Sequence, residues 1–175
     1  MSMSYVKDSP KSKSKSKITV NELTKTALVA ALYVTVTFVF AVISFGAVQL
    51  RLSEMFNYLA LYNKRYVIGV TLGVMFANFM SPTWILDVPI GSMATLVALL
   101  VCRALTKKIK NDIVKMVITA IVFALSMCAI AAQLTILLGF PFWATWLTAG
   151  IGELLSMTIG GVIIYTLNKK IDLSK

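Results

Sequence analysis

The chain has 175 residues, of which 58% are hydrophobic and 14% charged, and it carries a formal net charge of +10 with no histidine. A soluble domain has about 25% charged residues, so this composition cannot cover a water-facing surface. It also excludes a His-ligated zinc centre, a His general base, a disulfide framework (Cys102 and Cys128 are its two cysteines) and a GxxxxGK[ST] phosphate loop.

Residues 1–20, MSMSYVKDSPKSKSKSKITV, read as a disordered basic cytoplasmic tail, because alternating Lys and Ser bury nothing. A signal peptide over the first 45 residues is the rival reading. It fails because the apolar run is too long for an h-region and further spans follow. No Asp, Glu, Lys or Arg occurs in residues 26–50, 66–86 or 116–152. A bilayer span takes about 20 apolar residues, and Gly139-Phe140-Pro141 divides the longest run in two. The runs are continuously apolar without alternation, so they are helices and not barrel strands. Thr19 and Glu22 match a capping box and place the first helix start. The pattern predicts an all-α membrane protein, with helices over 22–44, 49–63, 66–81, 88–106, 112–138 and 142–168. Residues 21–175 thus form one six-helix transmembrane bundle, in which both cysteines fall in apolar segments as packing residues.

Positive charge orients the bundle. With both termini cytoplasmic, the tail, the Lys64-Arg65 turn, the Arg103-to-Lys115 stretch and the C-terminal lysines put 16 of the 17 basic residues inside. The charge is therefore a topological signal and no footprint of nucleic acid. Arg51 is the exception, and Glu54, Asp87 and Glu153 accompany it in the outer half. A charge at mid-membrane costs roughly 2.5–3.5 kcal/mol on insertion scales, so such residues face a cavity or a partner. Pairing of Arg51 with Glu54 at i,i+3 would leave two acids without a basic partner on that side.

The second predicted helix, QLRLSEMFNYLALY, is short and polar for a span, and segments of this kind often line binding sites. Gln49, Asn57, Tyr58, Asn78, Trp84, Gln133, Trp143 and Trp146 stand near these charges as candidate pocket residues. Singly, each reads as an interface-belt ring or a helix–helix hydrogen bond. Together with the acids they predict an outward-facing pocket of net charge near −2, suited to a small, flat, donor-rich or cationic ligand. Ala27-x-x-x-Ala31, Gly69-x-x-x-Gly73 and Ser156-x-x-x-Gly160 allow close helix approach.

FGAVQLRLSE (45–54), YNKRYVIGVTLGVMFANFMSP (62–82), ILDVPIGSMATL (85–96) and PFWATWLTAGIGELLSMTIGG (141–161) resemble the QueT family. That family is a queuosine-precursor branch of the substrate-binding (S) components of energy-coupling factor (ECF) transporters. The resemblance implies capture of a 7-deazaguanine from outside, in the nitrile or aminomethyl form or as queuine. It also implies delivery through a transmembrane coupling subunit (EcfT-like) and two ATPase subunits (EcfA-like). No cofactor is implied, and Ala27 and Ala31 would contact the coupling subunit. A ring N–H beside an exocyclic amine is a donor pair that one carboxylate accepts bidentately. Asp87 or Glu153 is expected to take it, with Glu54 partly held by Arg51. Arg51, Asn57 or Gln133 would donate to the ring carbonyl, and Trp84, Trp143, Trp146 or Tyr58 would stack the ring. The chain departs from the family pattern at Ala47, where proline is usual, and at Gln133, where an acid is frequent.

Other functions predict different observations. An S component for another micronutrient, such as thiamine, would suit the same acids. A membrane enzyme would need Ser92, Ser126 or Ser156 as nucleophile without a histidine base. A membrane assembly factor would bind no small molecule.

Overall fold

The structure, a computed structural model, describes residues 19–45 and 50–173. Of the predicted tail over 1–20, residues 1–18 lie outside the described residues, as do Ala47 and the pocket candidate Gln49, while Thr19 and Val20 belong to the start of the first helix, not to a tail. Among the described residues the chain is entirely helical. Its elements are α1 (Val20–Val39), α2 (Ala41–Ser44), a 3₁₀ helix (Leu52–Tyr58), α3 (Leu59–Tyr62), α4 (Arg65–Asn78), α5 (Trp84–Thr106), α6 (Asp112–Leu138) and α7 (Phe142–Asn168).

Local signals set several helix ends. The predicted capping box is formed: the Glu22 amide donates to Thr19 Oγ1 at 3.3 Å, and the Thr19 amide donates to Glu22 Oε2 at 3.0 Å. Asn111 caps α6 by accepting from the amides of Ile113 and Val114. Gly139, at φ 70°, ends α6 in the left-handed conformation that glycine adopts at little cost, and α7 starts right after Pro141.

α1, α5, α6 and α7 are long and apolar enough to cross a membrane. At 1.5 Å per residue α1 rises about 30 Å, the thickness of a hydrocarbon core. The expectation of six helices changes at two of them, both already predicted to be shorter than the others. The predicted helix 49–63 is a 3₁₀ helix followed by one α turn. Side-chain bonds from two other elements hold it in that tighter form: Thr37 Oγ1 meets Ser53 Oγ at 2.6 Å, Tyr33 Oη donates to Glu54 Oε1 at 2.6 Å, and Tyr58 Oη donates to the Met157 carbonyl at 3.0 Å. α4 ends at Asn78 and, with 14 residues, rises only about 21 Å. Two boundaries also move. The predicted 22–44 helix breaks at Phe40. α5 begins at Trp84, ahead of Pro89, because Asp87 draws the preceding turn onto the helix start by accepting from Ser81 and Thr83.

The long elements pack in a circuit. α1 lies on α4, α4 on α5, α5 on α6 and α6 on α7, and the 3₁₀ helix closes the ring by packing on α7 and α1. Glycines permit two of these approaches. A Cβ on Gly73 would lie 2.7 Å from Tyr33 Cβ, and one on Gly160 would overlap the Met55 side chain of the 3₁₀ helix. Gly69-x-x-x-Gly73 therefore does mark a close helix contact, with α1. Burial is inverted relative to a soluble protein. Leu100, Ile121 and Ile159 face outward, while Glu54, Asn57, Asn78, Gln133 and Glu153 are buried. This is the distribution of a bundle solvated by lipid.

Candidate functional site

The circuit encloses a cavity of about 280 Å³, close to the lower end of the roughly 300–1,000 Å³ typical of ligand pockets. Four charged side chains line it: Arg51 and Glu54 from the 3₁₀ segment, Asp87 from α5 and Glu153 from α7. Their formal charges sum to −2. The remaining wall combines the Ser81-Pro82-Thr83 turn, Asn78 and an apolar face of α6 that includes Phe123, Met127 and Ile130.

Arg51 caps the 3₁₀ helix and reaches across to α4. Its Nη1 donates to Asn78 Oδ1 at 3.0 Å and lies 3.8 Å from Glu54 Oε1, while its guanidinium sits 5.0 Å from the Phe45 ring centroid. Asn78 Nδ2 donates to the Asp87 carbonyl at 2.8 Å, so one amide joins Arg51 to the start of α5. Glu54 is well supplied with donors. Tyr33 Oη approaches Oε1 at 2.6 Å, and Asn57 Nδ2 donates to Oε2 at 2.5 Å. A buried charge held by neutral donors and a cation is tolerable; the same charge alone is not.

Asp87 is held similarly. Ser81 Oγ and Thr83 Oγ1 donate to Oδ2, and Gln133 Nε2 of α6 donates to Oδ1. An acid at position 133 would face Asp87 with like charge, whereas the glutamine supplies a donor. Glu153 differs. It is 2% exposed, and its Oε1 has no hydrogen-bond partner among the described residues. Buried polar atoms are nearly always satisfied, so a carboxylate oxygen left open beside a cavity is an acceptor in want of a donor.

Of the sequence candidates, Arg51, Glu54, Asn78, Asp87 and Glu153 converge on the cavity wall. Six others stand outside it. Asn57, Tyr58 and Gln133 are buried behind it, where they hold Glu54, the Met157 carbonyl and Asp87. Trp84 and Trp143 are 47% and 74% exposed, and Trp143 and Trp146 stack with Phe142 at the start of α7, as rings of an interface belt do. The rings that border the cavity are Phe45, Phe123 and Phe140. Polarity was the guide to the candidates, and a phenylalanine in an apolar run carries no such mark. Phe45, Ser81 and Pro82 nevertheless lie inside the stretches that carry the family resemblance.

Comparison with known proteins agrees with that resemblance. The family described as QueT transporter matches residues 23–169. Over 158 residues the chain is 41% identical to the queuosine precursor transporter QueT of Lactococcus lactis subsp. cremoris (strain MG1363), covering 85% of this chain and 93% of that protein. No solved structure matches.

Proposed function

The chain belongs to the QueT transporter family as a multi-pass plasma-membrane protein, a transporter and not an enzyme, and we propose that it is the S component of an ECF importer for a queuosine precursor. In this reading six membrane passes, two of them short, place both termini in the cytoplasm. The basic segment ahead of Thr19 lies in the cytoplasm, and the helical bundle that starts at Val20 is the substrate-binding domain. The ligand is a 7-deazaguanine that enters from outside. A coupling subunit and two ATPase subunits then complete its import.

The observation that carries this reading is the open carboxylate of Glu153 against a cavity of about 280 Å³. The ring N–H and exocyclic amine of a 7-deazaguanine are the donor pair such a carboxylate accepts bidentately. Arg51, already fixed by Asn78 and Glu54, faces the ring carbonyl as donor, and Phe123 and Phe45 supply apolar faces for the ring. The formal charge of −2 favours the cationic aminomethyl base over the neutral nitrile, and the cavity volume favours a base with a small 7-substituent over the bulkier queuine. Asp87 acts on that cation through space, since both its oxygens already accept hydrogen bonds. Ala27 and Ala31 lie on the exposed side of α1, where a coupling subunit can seat.

Calorimetric titration of the detergent-purified protein with the aminomethyl and nitrile bases, queuine, guanine and thiamine tests this proposal. Selective binding of the aminomethyl base is expected, with Glu153→Gln weakening it about 10- to 100-fold, the worth of a hydrogen bond to a charged group. Unaltered affinity in a folded Glu153→Gln protein refutes the assignment. Binding of thiamine alone would keep the importer and discard the substrate.

A further inference from the structure

α1 touches the binding segment through two side chains one helical turn apart. Tyr33 is fully buried, and its Oη donates to Glu54 Oε1 at 2.6 Å. Thr37, also fully buried, meets Ser53 Oγ at 2.6 Å through Oγ1 and uses the same oxygen to bond its own helix at the Tyr33 carbonyl. Both contacts join α1 to consecutive residues of the 3₁₀ helix, Ser53 and Glu54. Neither α1 residue lines the cavity, while Glu54 does. On its other side Tyr33 rests on Gly73 of α4, so its ring has little room to move.

We infer that Tyr33 and Thr37 are positioning residues through which α1 sets the geometry of the ligand-binding 3₁₀ segment. Tyr33 holds the Glu54 carboxylate where it can keep Arg51 as partner, and Thr37 fixes the backbone register one residue earlier. The inference deepens the proposed function and rests on it for the identity of the ligand. Its consequence is directional. Ala31 and Tyr33, two residues apart, point about 200° from each other around the helix. The face of α1 that is open to a partner is therefore opposite the face that holds the site. A partner that shifts α1 then loosens the ligand's binding segment by the same movement, and by linkage the ligand alters the affinity of α1 for that partner.

The test uses Tyr33→Phe and Thr37→Val, which remove only the hydroxyls, in the full-length protein. Amide hydrogen exchange of the ligand-free protein should rise at least tenfold over residues 52–58 in the Tyr33→Phe/Thr37→Val double variant, with α6 and α7 unchanged. Calorimetry with the aminomethyl 7-deazaguanine should show about tenfold weaker binding for Tyr33→Phe alone. In a Glu54→Gln background the same substitution should cost less than twofold, because it acts through Glu54. Unchanged exchange over residues 52–58 overturns the inference, whatever the protein binds. Equal losses of affinity in both backgrounds also overturn it, since they would mark general structural damage. Raised exchange in a protein that binds no 7-deazaguanine supports the α1 clamp and refutes the ligand assignment instead.

Discussion

Replacing Gly73 with alanine should damage both the fold and the site, by an amount the geometry bounds. The added Cβ would stand 2.7 Å from Tyr33 Cβ, 3.0 Å from Tyr33 Cγ and 3.3 Å from the Ala30 carbonyl oxygen. Carbon atoms pack at about 3.5–4.0 Å, so α1 must retreat from α4 by roughly 1 Å. Cβ and a backbone oxygen are fixed to the helix, and no rotamer change relieves the clash. Overpacking of this kind costs about 1–3 kcal/mol. A 1 Å displacement of Tyr33 would also break the 2.6 Å geometry of its bond to Glu54, at a further cost of about 1.5–3 kcal/mol for a charged acceptor. At about 2–4 °C per kcal/mol for a chain of this size, the melting temperature should fall by roughly 5–25 °C. Affinity for the aminomethyl base should weaken in parallel. Gly150→Ala is the matched control. Its Cβ would come no closer than 3.4 Å to the Ala124 carbonyl oxygen, and alanine gains about 0.5–1 kcal/mol over glycine within a helix. Melting in one detergent, followed by circular dichroism, compares the two. If Gly73→Ala melted within 1 °C of wild type, or Gly150→Ala fell as far, the close-approach argument would be refuted.

Three further outcomes follow from where side chains sit. Trp84→Ala and Trp143→Ala should each leave affinity for the 7-deazaguanine within about twofold, because both rings lie outside the cavity and are largely exposed. Phe123→Ala, by contrast, removes a ring that is 1% exposed and should cost about 3–5 kcal/mol of stability; calorimetry and thermal melting read the two effects. Ala31→Leu, on the exposed face of α1, should leave melting and ligand affinity unchanged in the isolated protein. In vesicles with the coupling and ATPase subunits it should abolish uptake. Normal uptake would remove α1 as the docking face.

Signals carried by nearest neighbours in the chain were legible without coordinates. The predicted helices 112–138 and 142–168 match α6 and α7 residue for residue, because Asn111, Gly139 and Pro141 end or start helices by local geometry alone. The Thr19–Glu22 cap and the membrane class were legible for the same reason: one needs four residues, the other only the length of apolar runs. So were the charges that converge on the cavity, since Arg51, Glu54, Asp87 and Glu153 are costly in a membrane wherever the chain takes them. The role of each charge was not. Glu54 is held by Tyr33, 21 residues away, and Asp87 by Gln133, 46 residues away, and no local pattern encodes such pairs. The 3₁₀ form of residues 52–58 depends on side chains of α1 and on the Met157 carbonyl, and the rings bordering the cavity are phenylalanines that look alike in any apolar run. Which carboxylate keeps an oxygen without a donor among the described residues was decided by tertiary structure alone, because it depends on where every competing donor goes once the helices have packed.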